Sequence, residues 1–215
     1  MRSIPNLQMA AVLAALAALA SVAVTSAGAE DRQVSVQTVE NAETAIFAGG
    51  CFWCVESDFD KVEGVVETIS GYTGGTSLDP TYRNHTSGGH REAVKVTFDP
   101  DVVSYEELVE YYFHHIDPVD MGGQFCDRGH SYTTAIYAVD SEQADAARME
   151  IEAIDASHVL PSRVVTVVER ASAFYPAEEY HQDYYLKAPL KYNFYRQACG
   201  RDNRVEELWG AKVSG

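Results

Sequence analysis

The spacing of apolar and polar positions changes several times along the chain, and each change predicts a different type of secondary structure. Apolar residues at helical spacing predict helices that begin near residues 51, 104 and 141. Ser104 and Glu107 have the spacing of a capping box, which marks the start of the second helix. Alternating or β-branched runs predict strands at residues 44–50, 64–75, 92–100, 133–139 and 163–169.

The order of these elements favours an α+β fold over a doubly wound parallel sheet. Two strands, at 64–75 and 92–100, follow one another with only a glycine-rich loop between them. We therefore predict a mixed, mainly antiparallel central sheet flanked by helices in a two-layer sandwich. The segment after Ala177 is rich in aromatic residues. It predicts a polar helical piece followed by an irregular C-terminal tail.

The first 29 residues have the pattern of a signal peptide. Arg2 precedes an apolar run at 9–24, and the small residues Ala27 and Ala29 fit a cleavage site. A retained anchor is the alternative, although a membrane-spanning helix needs roughly 20 apolar residues. We therefore expect an exported, periplasmic protein, with a polar arm at 30–43 and a single catalytic domain at 44–215.

Composition and charge narrow the class of protein. The chain has 215 residues, 46% of them hydrophobic, which suits one globular domain. Its formal net charge of −16 is opposite to the basic footprint of nucleic-acid-binding proteins. We expect a monomer that binds no nucleic acid and has no stable membrane association after cleavage.

The segment "GGCFWCVE" at 49–56 places two cysteines at a predicted strand-to-helix corner. Unpaired backbone N–H groups and the helix dipole favour an anion at the first turn of a helix. Since the thiolate is the reactive form of cysteine, Cys51 stands where a nucleophile is expected, with a lowered pKa.

The residues alone leave two other interpretations of the cysteines open and argue against a third. Cys51 and Cys54 have the spacing of a dithiol that exchanges disulfides. Any of the four cysteines, which include Cys126 and Cys199, could form a structural disulfide in an oxidising compartment. A metal site would need a second pair of ligands, and none is evident, so we expect no metal.

Five segments, in order along the chain, resemble the type A peptide methionine sulfoxide reductases. They are "GGCFWCVE", "GYTGG" continuing through "PTYRNHTSGGHREAVKVTFDP", "FCDRGHSYTTAIY", "FYPAEEYHQDY" and "FYRQACGRDNRVEELWG". The resemblance extends from about Thr44 to Trp209. It implies thiol-dependent reduction of methionine S-sulfoxide, free or in proteins, to methionine.

The resemblance also implies roles for the residues around the reacting sulfur. Cys51 attacks the sulfoxide sulfur, and Phe52 and Trp53 form an apolar pocket for the S-methyl group. Tyr82, Glu92 and Tyr132 hold and protonate the sulfoxide oxygen. Without the family, Phe52 and Trp53 would be ordinary core residues, and Glu92 a surface carboxylate at a strand edge.

Three further residues match family positions that order or bind at this site. They are Asp127, His181 and Tyr184. From the residues alone, Asp127 stabilises a turn. His181 and Tyr184 would then lie on a half-exposed helix face.

The resemblance implies a catalytic cycle that needs no metal or organic cofactor. Cys51 becomes a sulfenic acid, a second thiol converts it to an intramolecular disulfide, and a thioredoxin-like dithiol reduces that disulfide. We expect Cys199 to be the second thiol, because an irregular tail could move to Cys51 and because the resemblance points to it. Cys54 can reach only if Cys51 sits at a frayed helix cap, since residues three apart on a regular helix are too distant. Cys126 is the third candidate.

Two alternative functions remain open on the sequence. The chain could be a thiol–disulfide oxidoreductase that uses Cys51 and Cys54. It could also be an exported module that binds methionine-rich peptides in its aromatic pocket without catalysis.

Overall fold

A computed structural model describes residues 41–210, which fall within one compact unit. The predicted signal peptide and the polar arm up to residue 40 lie outside the described residues. A six-stranded sheet has the order β7–β6–β1–β3–β2–β8. Its strands are β1 (Glu43–Ala48), β2 (Val65–Thr73), β3 (Arg91–Phe98), β6 (Ala135–Ala138), β7 (Val167–Arg170) and β8 (Tyr175–Pro176). The strands β4 (Gly123–Gln124) and β5 (Asp127–Arg128) form a separate two-stranded sheet, which the sequence analysis did not predict.

Six α-helices connect or follow the strands within residues 41–210. They are α1 (Phe52–Phe59), α2 (Tyr105–Phe113), α3 (Ser141–Ser157), α4 (Tyr184–Lys187), α5 (Pro189–Ala198) and α6 (Arg201–Trp209), with a short 3-10 turn at His130–Tyr132. Among the described residues, none of these helices is long and apolar enough to cross a membrane. The capping box is confirmed, because the Ser104 hydroxyl accepts from the Glu107 N–H and the Glu107 carboxylate accepts from the Ser104 N–H.

The predicted fold class is confirmed. Every pairing in the large sheet is antiparallel except that of β6 with β7, which α3 connects. Side chains that alternate along each strand therefore contribute to two different clusters. The larger core packs one face of the sheet against α1, α2, α3 and α6, and the smaller one covers the opposite face with Ala171 and Phe174.

Two predicted elements differ from the structure. The strand predicted at 163–169 begins only at Val167, because β7 lies at the sheet edge and its sole partner, β6, is four residues long. The irregular C-terminal tail is instead helical. Pro189 starts α5, and Gly200, at φ +69°, separates it from α6. The only buried apolar residues of α5 and α6 are Tyr192, Val205 and Leu208. Because the rest of the two helices is mostly polar or exposed, the sequence pattern did not indicate them.

Candidate active site

Cys51 lies at the corner between β1 and α1, as the sequence predicted. It is the residue before the first turn of α1, and its backbone is not helical (φ −53°, ψ 118°). The preceding Gly50 has φ +86°, and a Cβ there would come 2.5 Å from Cβ of Gln124. Only glycine fits this corner without strain. The side chain of Cys51 is therefore held in a buried position beside the start of the helix.

Glu92 approaches the same helix terminus from the sheet. It lies on the central strand β3, is 2% exposed, and accepts a hydrogen bond from the Phe52 N–H at 3.0 Å. The reading of Glu92 as a surface carboxylate is therefore wrong. Burial raises the pKa of Glu92 to about 8, and the nearby Asp127 adds to the increase. The carboxyl group is thus mainly protonated at neutral pH.

The expected lowering of the Cys51 pKa is wrong. Burial raises the pKa of this thiol, and its contacts with Cys54 and the nearby Glu92 raise it further. The first N–H of α1, that of Phe52, donates to Glu92 rather than to the sulfur. The helix terminus that should stabilise a thiolate therefore already has a carboxyl partner.

A small cavity of about 60 Å³ brings most of the predicted site residues together. It is lined by Cys51, Phe52, Trp53, Tyr82, Glu92, Asp127, Tyr132 and Tyr195. Seven of these eight were predicted from the sequence. The cavity has a thiol, a carboxyl group and aromatic faces within one small space, which suits a reaction at a small, partly apolar group.

The two predicted tyrosines supply hydroxyl donors to the cavity. Tyr82 is 44% exposed and lies at the rim, whereas Tyr132 is partly buried and lines the same cavity as Glu92. Burial raises the pKa of both phenols, and the nearby Glu92 raises it further. Both hydroxyls therefore keep their protons and can donate hydrogen bonds.

His181 and Tyr184 support the cavity from behind instead of lining it. The indole N–H of Trp53 donates to His181 Nδ1 at 3.1 Å, and Tyr184 stacks on Trp53 with ring centroids 3.9 Å apart. His181 is 2% exposed, so its placement on a half-exposed face is wrong. Burial lowers the pKa of His181, so the ring is neutral and its Nδ1 can accept the hydrogen bond from the indole N–H.

Tyr195 is the cavity residue that the sequence analysis missed. It lies on α5, its hydroxyl donates to Asp127 Oδ2, and it also contacts the Cys51 thiol. Asp127 therefore does more than stabilise a turn, because it lines the cavity and binds the Tyr195 hydroxyl. The spacing of Tyr192 and Tyr195 is typical of one face of a helix and could have indicated α5. The sequence analysis instead predicted an irregular tail for this segment.

The disulfide in the structure differs from the expected pair. Cys199 is bonded to Cys126, whereas Cys51 and Cys54 are free and buried. The expected movement of Cys199 toward Cys51 assumed an irregular tail. Cys199 instead closes the regular helix α5, directly after the turn that also holds Tyr195.

One group of side chains in residues 41–210 has the spacing of metal ligands. The ligand atoms of Cys126, Asp127 and Cys199 lie within 4.8 Å of one another. Because the two sulfurs are joined to each other, the group offers no thiolate to a metal.

Comparison with known proteins agrees with this arrangement. Residues 43–213 match the family described as peptide methionine sulfoxide reductase. The peptide methionine sulfoxide reductase MsrA 2 of Rhizobium meliloti is 58% identical over 169 residues, which are 79% of this chain and 84% of that protein. MsrA of Bacillus licheniformis is 47% identical over 80% of this chain and 97% of its own.

A solved structure extends the similarity to the fold. Methionine sulfoxide reductase A of Corynebacterium diphtheriae has a TM-score of 0.61 and 32% identity, and the match covers 69% of this chain and 76% of that one. The family match includes all eight residues of the cavity. The chain belongs to the peptide methionine sulfoxide reductase family.

Proposed function

We propose that this protein reduces the S-epimer of methionine sulfoxide, free or in proteins, to methionine. The observation that carries the proposal is the cavity in which Cys51 and a protonated Glu92 share one wall with two aromatic rings. A sulfoxide needs a nucleophile for its sulfur, a proton for its oxygen and an apolar surface for its methyl group. All three are present within the same 60 Å³.

The aromatic wall explains how the sulfoxide is oriented. Phe52 and Trp53 line the cavity with rings 6.4 Å apart, and aromatic faces suit a polarizable sulfur and its methyl group. Trp53 is held by His181 on one side and by Tyr184 stacked on it. This support fixes the methyl-binding surface before substrate arrives.

The chemical step transfers oxygen from the substrate to the enzyme. The Cys51 thiolate attacks the sulfoxide sulfur and forms an S–S bond, and Glu92 gives its proton to the oxygen, which becomes a hydroxyl group on the substrate sulfur. Tyr82 and Tyr132 donate hydrogen bonds to the same oxygen while its negative charge develops. The hydroxyl group then moves to the Cys51 sulfur as the S–S bond and the S–O bond of the substrate break, so methionine leaves and Cys51 remains as a sulfenic acid.

The cycle is completed by thiol chemistry, with no metal or organic cofactor. A second thiol of the chain displaces the sulfenic oxygen and forms an intramolecular disulfide. A thioredoxin-like dithiol then reduces this disulfide by exchange. The physiological donor is a protein of that chemistry, and dithiothreitol can replace it in an assay.

We also infer that the protein is an exported monomer that works in the periplasm after removal of residues 1–29. The apolar run at 9–24 supports export. The Cys126–Cys199 disulfide gives independent support, since such bonds persist in oxidising compartments. The N-terminal sequence of the mature protein and its mass in solution test these two points.

The activity is tested by the methionine formed from each separated sulfoxide epimer with dithiothreitol as reductant. We expect turnover of the S-epimer alone and no turnover by Cys51→Ser. A binding module would form no methionine from either epimer. A thiol–disulfide oxidoreductase would reduce a disulfide substrate but neither sulfoxide, and either result would overturn the proposal.

A further inference from the structure

Arg91 is a buried charged residue that the proposed mechanism does not use. It directly precedes Glu92 on β3 and is 7% exposed. Side chains alternate along a strand, so Arg91 lies on the same face as Ala93, which belongs to the smaller core cluster, and opposite to Glu92. A guanidinium group that has lost its water needs several hydrogen-bond acceptors. Those acceptors indicate which parts of the fold the residue holds together.

Three side chains accept hydrogen bonds from the Arg91 guanidinium. Nη1 donates to the Tyr137 hydroxyl at 2.7 Å and to the Glu169 carboxylate at 3.2 Å. These two contacts join β3 to β6 and β7 and stabilise the sheet. Nε donates to the Thr133 hydroxyl at 2.8 Å. This third contact leaves the sheet and reaches the residue that follows Tyr132.

The Thr133 hydroxyl connects Arg91 with the 3-10 turn at His130–Tyr132. It accepts the Nε–H of Arg91 and donates to the His130 carbonyl at 2.8 Å. The Thr133 N–H donates to the same carbonyl at 3.1 Å, which closes the turn. The residue that follows Tyr132 is therefore fixed both to the turn and to β3.

A second hydrogen bond fixes the other side of Tyr132. The buried Ser131 hydroxyl donates to the His90 carbonyl at 2.8 Å. Tyr132 thus lies between two residues that are bonded to His90 and Arg91, and these are the two residues that precede Glu92. Tyr132 and Glu92 line the same cavity. Short links from the start of β3 therefore set the position of one group relative to the other.

The shape of the guanidinium group gives the link from Arg91 its direction. The group is planar and rigid, so a contact at one nitrogen orients the others. With Nη1 bound to Tyr137 and Glu169, the Nε–H points at the Thr133 hydroxyl. A charged donor also forms a stronger hydrogen bond than a neutral one. A lysine ammonium has the charge but lacks the fixed geometry that joins all three contacts.

We propose that Arg91 is a positioning residue of the sulfoxide site, which acts through Thr133 to hold the Tyr132 hydroxyl at the sulfoxide oxygen. This inference rests on the proposed function, in which Tyr132 donates to that oxygen. Arg91 is not among the eight residues that line the cavity. Its effect on the rate therefore depends on the presence of the Tyr132 hydroxyl.

The first test replaces Thr133 by valine, which has a similar shape but no hydroxyl. Thr133→Val should lower the single-turnover rate of methionine release from the S-sulfoxide about tenfold, whereas Thr133→Ser should retain most of it. The matched control is Thr166→Val, which removes a buried hydroxyl bound to Thr134 and should leave the rate unchanged. A wild-type rate in Thr133→Val, or an equal loss in Thr133→Ser or Thr166→Val, would overturn the proposal.

The second test combines Thr133→Val with Tyr132→Phe in a double-mutant cycle. Single turnovers are followed for as long as the slowest variant requires. If Thr133 acts by placing the Tyr132 hydroxyl, Thr133→Val should change the rate less than about twofold once that hydroxyl is absent. A tenfold loss in both backgrounds would show that Thr133 acts only through the stability of the fold, and would overturn the proposal.

The third test addresses the guanidinium group itself. Arg91→Lys keeps the charge but not the fork, so it should be about as slow as Thr133→Val. Arg204→Lys is the matched control, because Arg204 pairs with Asp117 and Glu207, neither of which lines the cavity. A wild-type rate in folded Arg91→Lys would overturn the role of Arg91, and the Thr133 variants decide if it does not fold. Failure of the proposed function is distinguishable, since the wild type would then release no methionine.

Discussion

At the scale of single residues, the site depends on one backbone N–H group for which two side chains compete. The Phe52 N–H at the start of α1 has no partner within the helix. It donates its hydrogen bond to the Glu92 carboxyl group and not to the Cys51 sulfur. Burial keeps Glu92 protonated, since ionising it would place a charge away from water. The arrangement therefore holds a proton on Glu92 in the wall of the cavity that also contains Cys51.

This stored proton predicts the pH dependence of the rate. Because burial raises the pKa of the Cys51 thiol and brings that of Glu92 to about 8, the wild-type rate of methionine release should rise with pH up to about 8 and then level off, since the further gain in thiolate is offset by the loss of the Glu92 proton. Glu92→Gln should lower the rate on the order of a hundredfold and remove this levelling, so that the rate of the variant keeps rising above pH 8 as Cys51 ionises. Its amide oxygen can still accept the Phe52 N–H. Single-turnover rates from pH 6 to 10 provide the check, and a wild-type rate with an unchanged profile would contradict the role.

At the scale of elements, the C-terminal helices complete a site that begins on β1 and α1. Helix α5 carries Tyr195 to the cavity, and the Cys126–Cys199 bond joins the end of that helix to the loop of Asp127. The Tyr195 hydroxyl thereby connects Asp127 with the Cys51 thiol. Two segments that are distant in sequence determine the rim of one cavity.

Tyr195→Phe tests this contribution of α5. Losing a hydrogen bond to a partly buried carboxylate should lower kcat/KM for methionine S-sulfoxide about tenfold, or roughly 1.4 kcal/mol. Tyr185→Phe is the matched control, because its hydroxyl binds Asp60 outside the cavity. Equal losses in the two variants would show that Tyr195 acts only through the stability of the helical segment.

Sequence reasoning succeeded where the deciding contacts were local. The corner at Cys51 and the capping box of Ser104 follow from neighbouring residues, and the motif resemblance placed Glu92 at the site. Tyr195 and the ionisation of Cys51 depend on packing between segments that are far apart in the chain. The disulfide partner of Cys199 was also out of reach, since spacing alone does not determine connectivity.

At the scale of the whole molecule, the Cys126–Cys199 disulfide closes a loop that contains much of the fold. The two cysteines are 73 residues apart, and β6, α3 and β7 lie between them. A covalent link of this kind restricts the unfolded chain more than the folded one. We therefore assign it a role in stability.

Replacing both cysteines tests that role. Cys126→Ser with Cys199→Ser should lower the free energy of unfolding by roughly 2–4 kcal/mol in urea denaturation at fixed pH. Adding dithiothreitol should destabilise the wild type but not the double variant. A double variant as stable as the oxidised wild type would contradict the assignment.

In the mechanism that we propose, Cys51 itself takes the oxygen of methionine S-sulfoxide. The test mixes this substrate, without reductant, with the reduced variant in which Cys54, Cys126 and Cys199 are all replaced by serine, so that no second thiol remains, and counts the methionine released and the Cys51 modified. We expect one methionine per chain and a sulfenic acid on Cys51. Methionine formed without modification of Cys51, or no methionine at all, would contradict this mechanism.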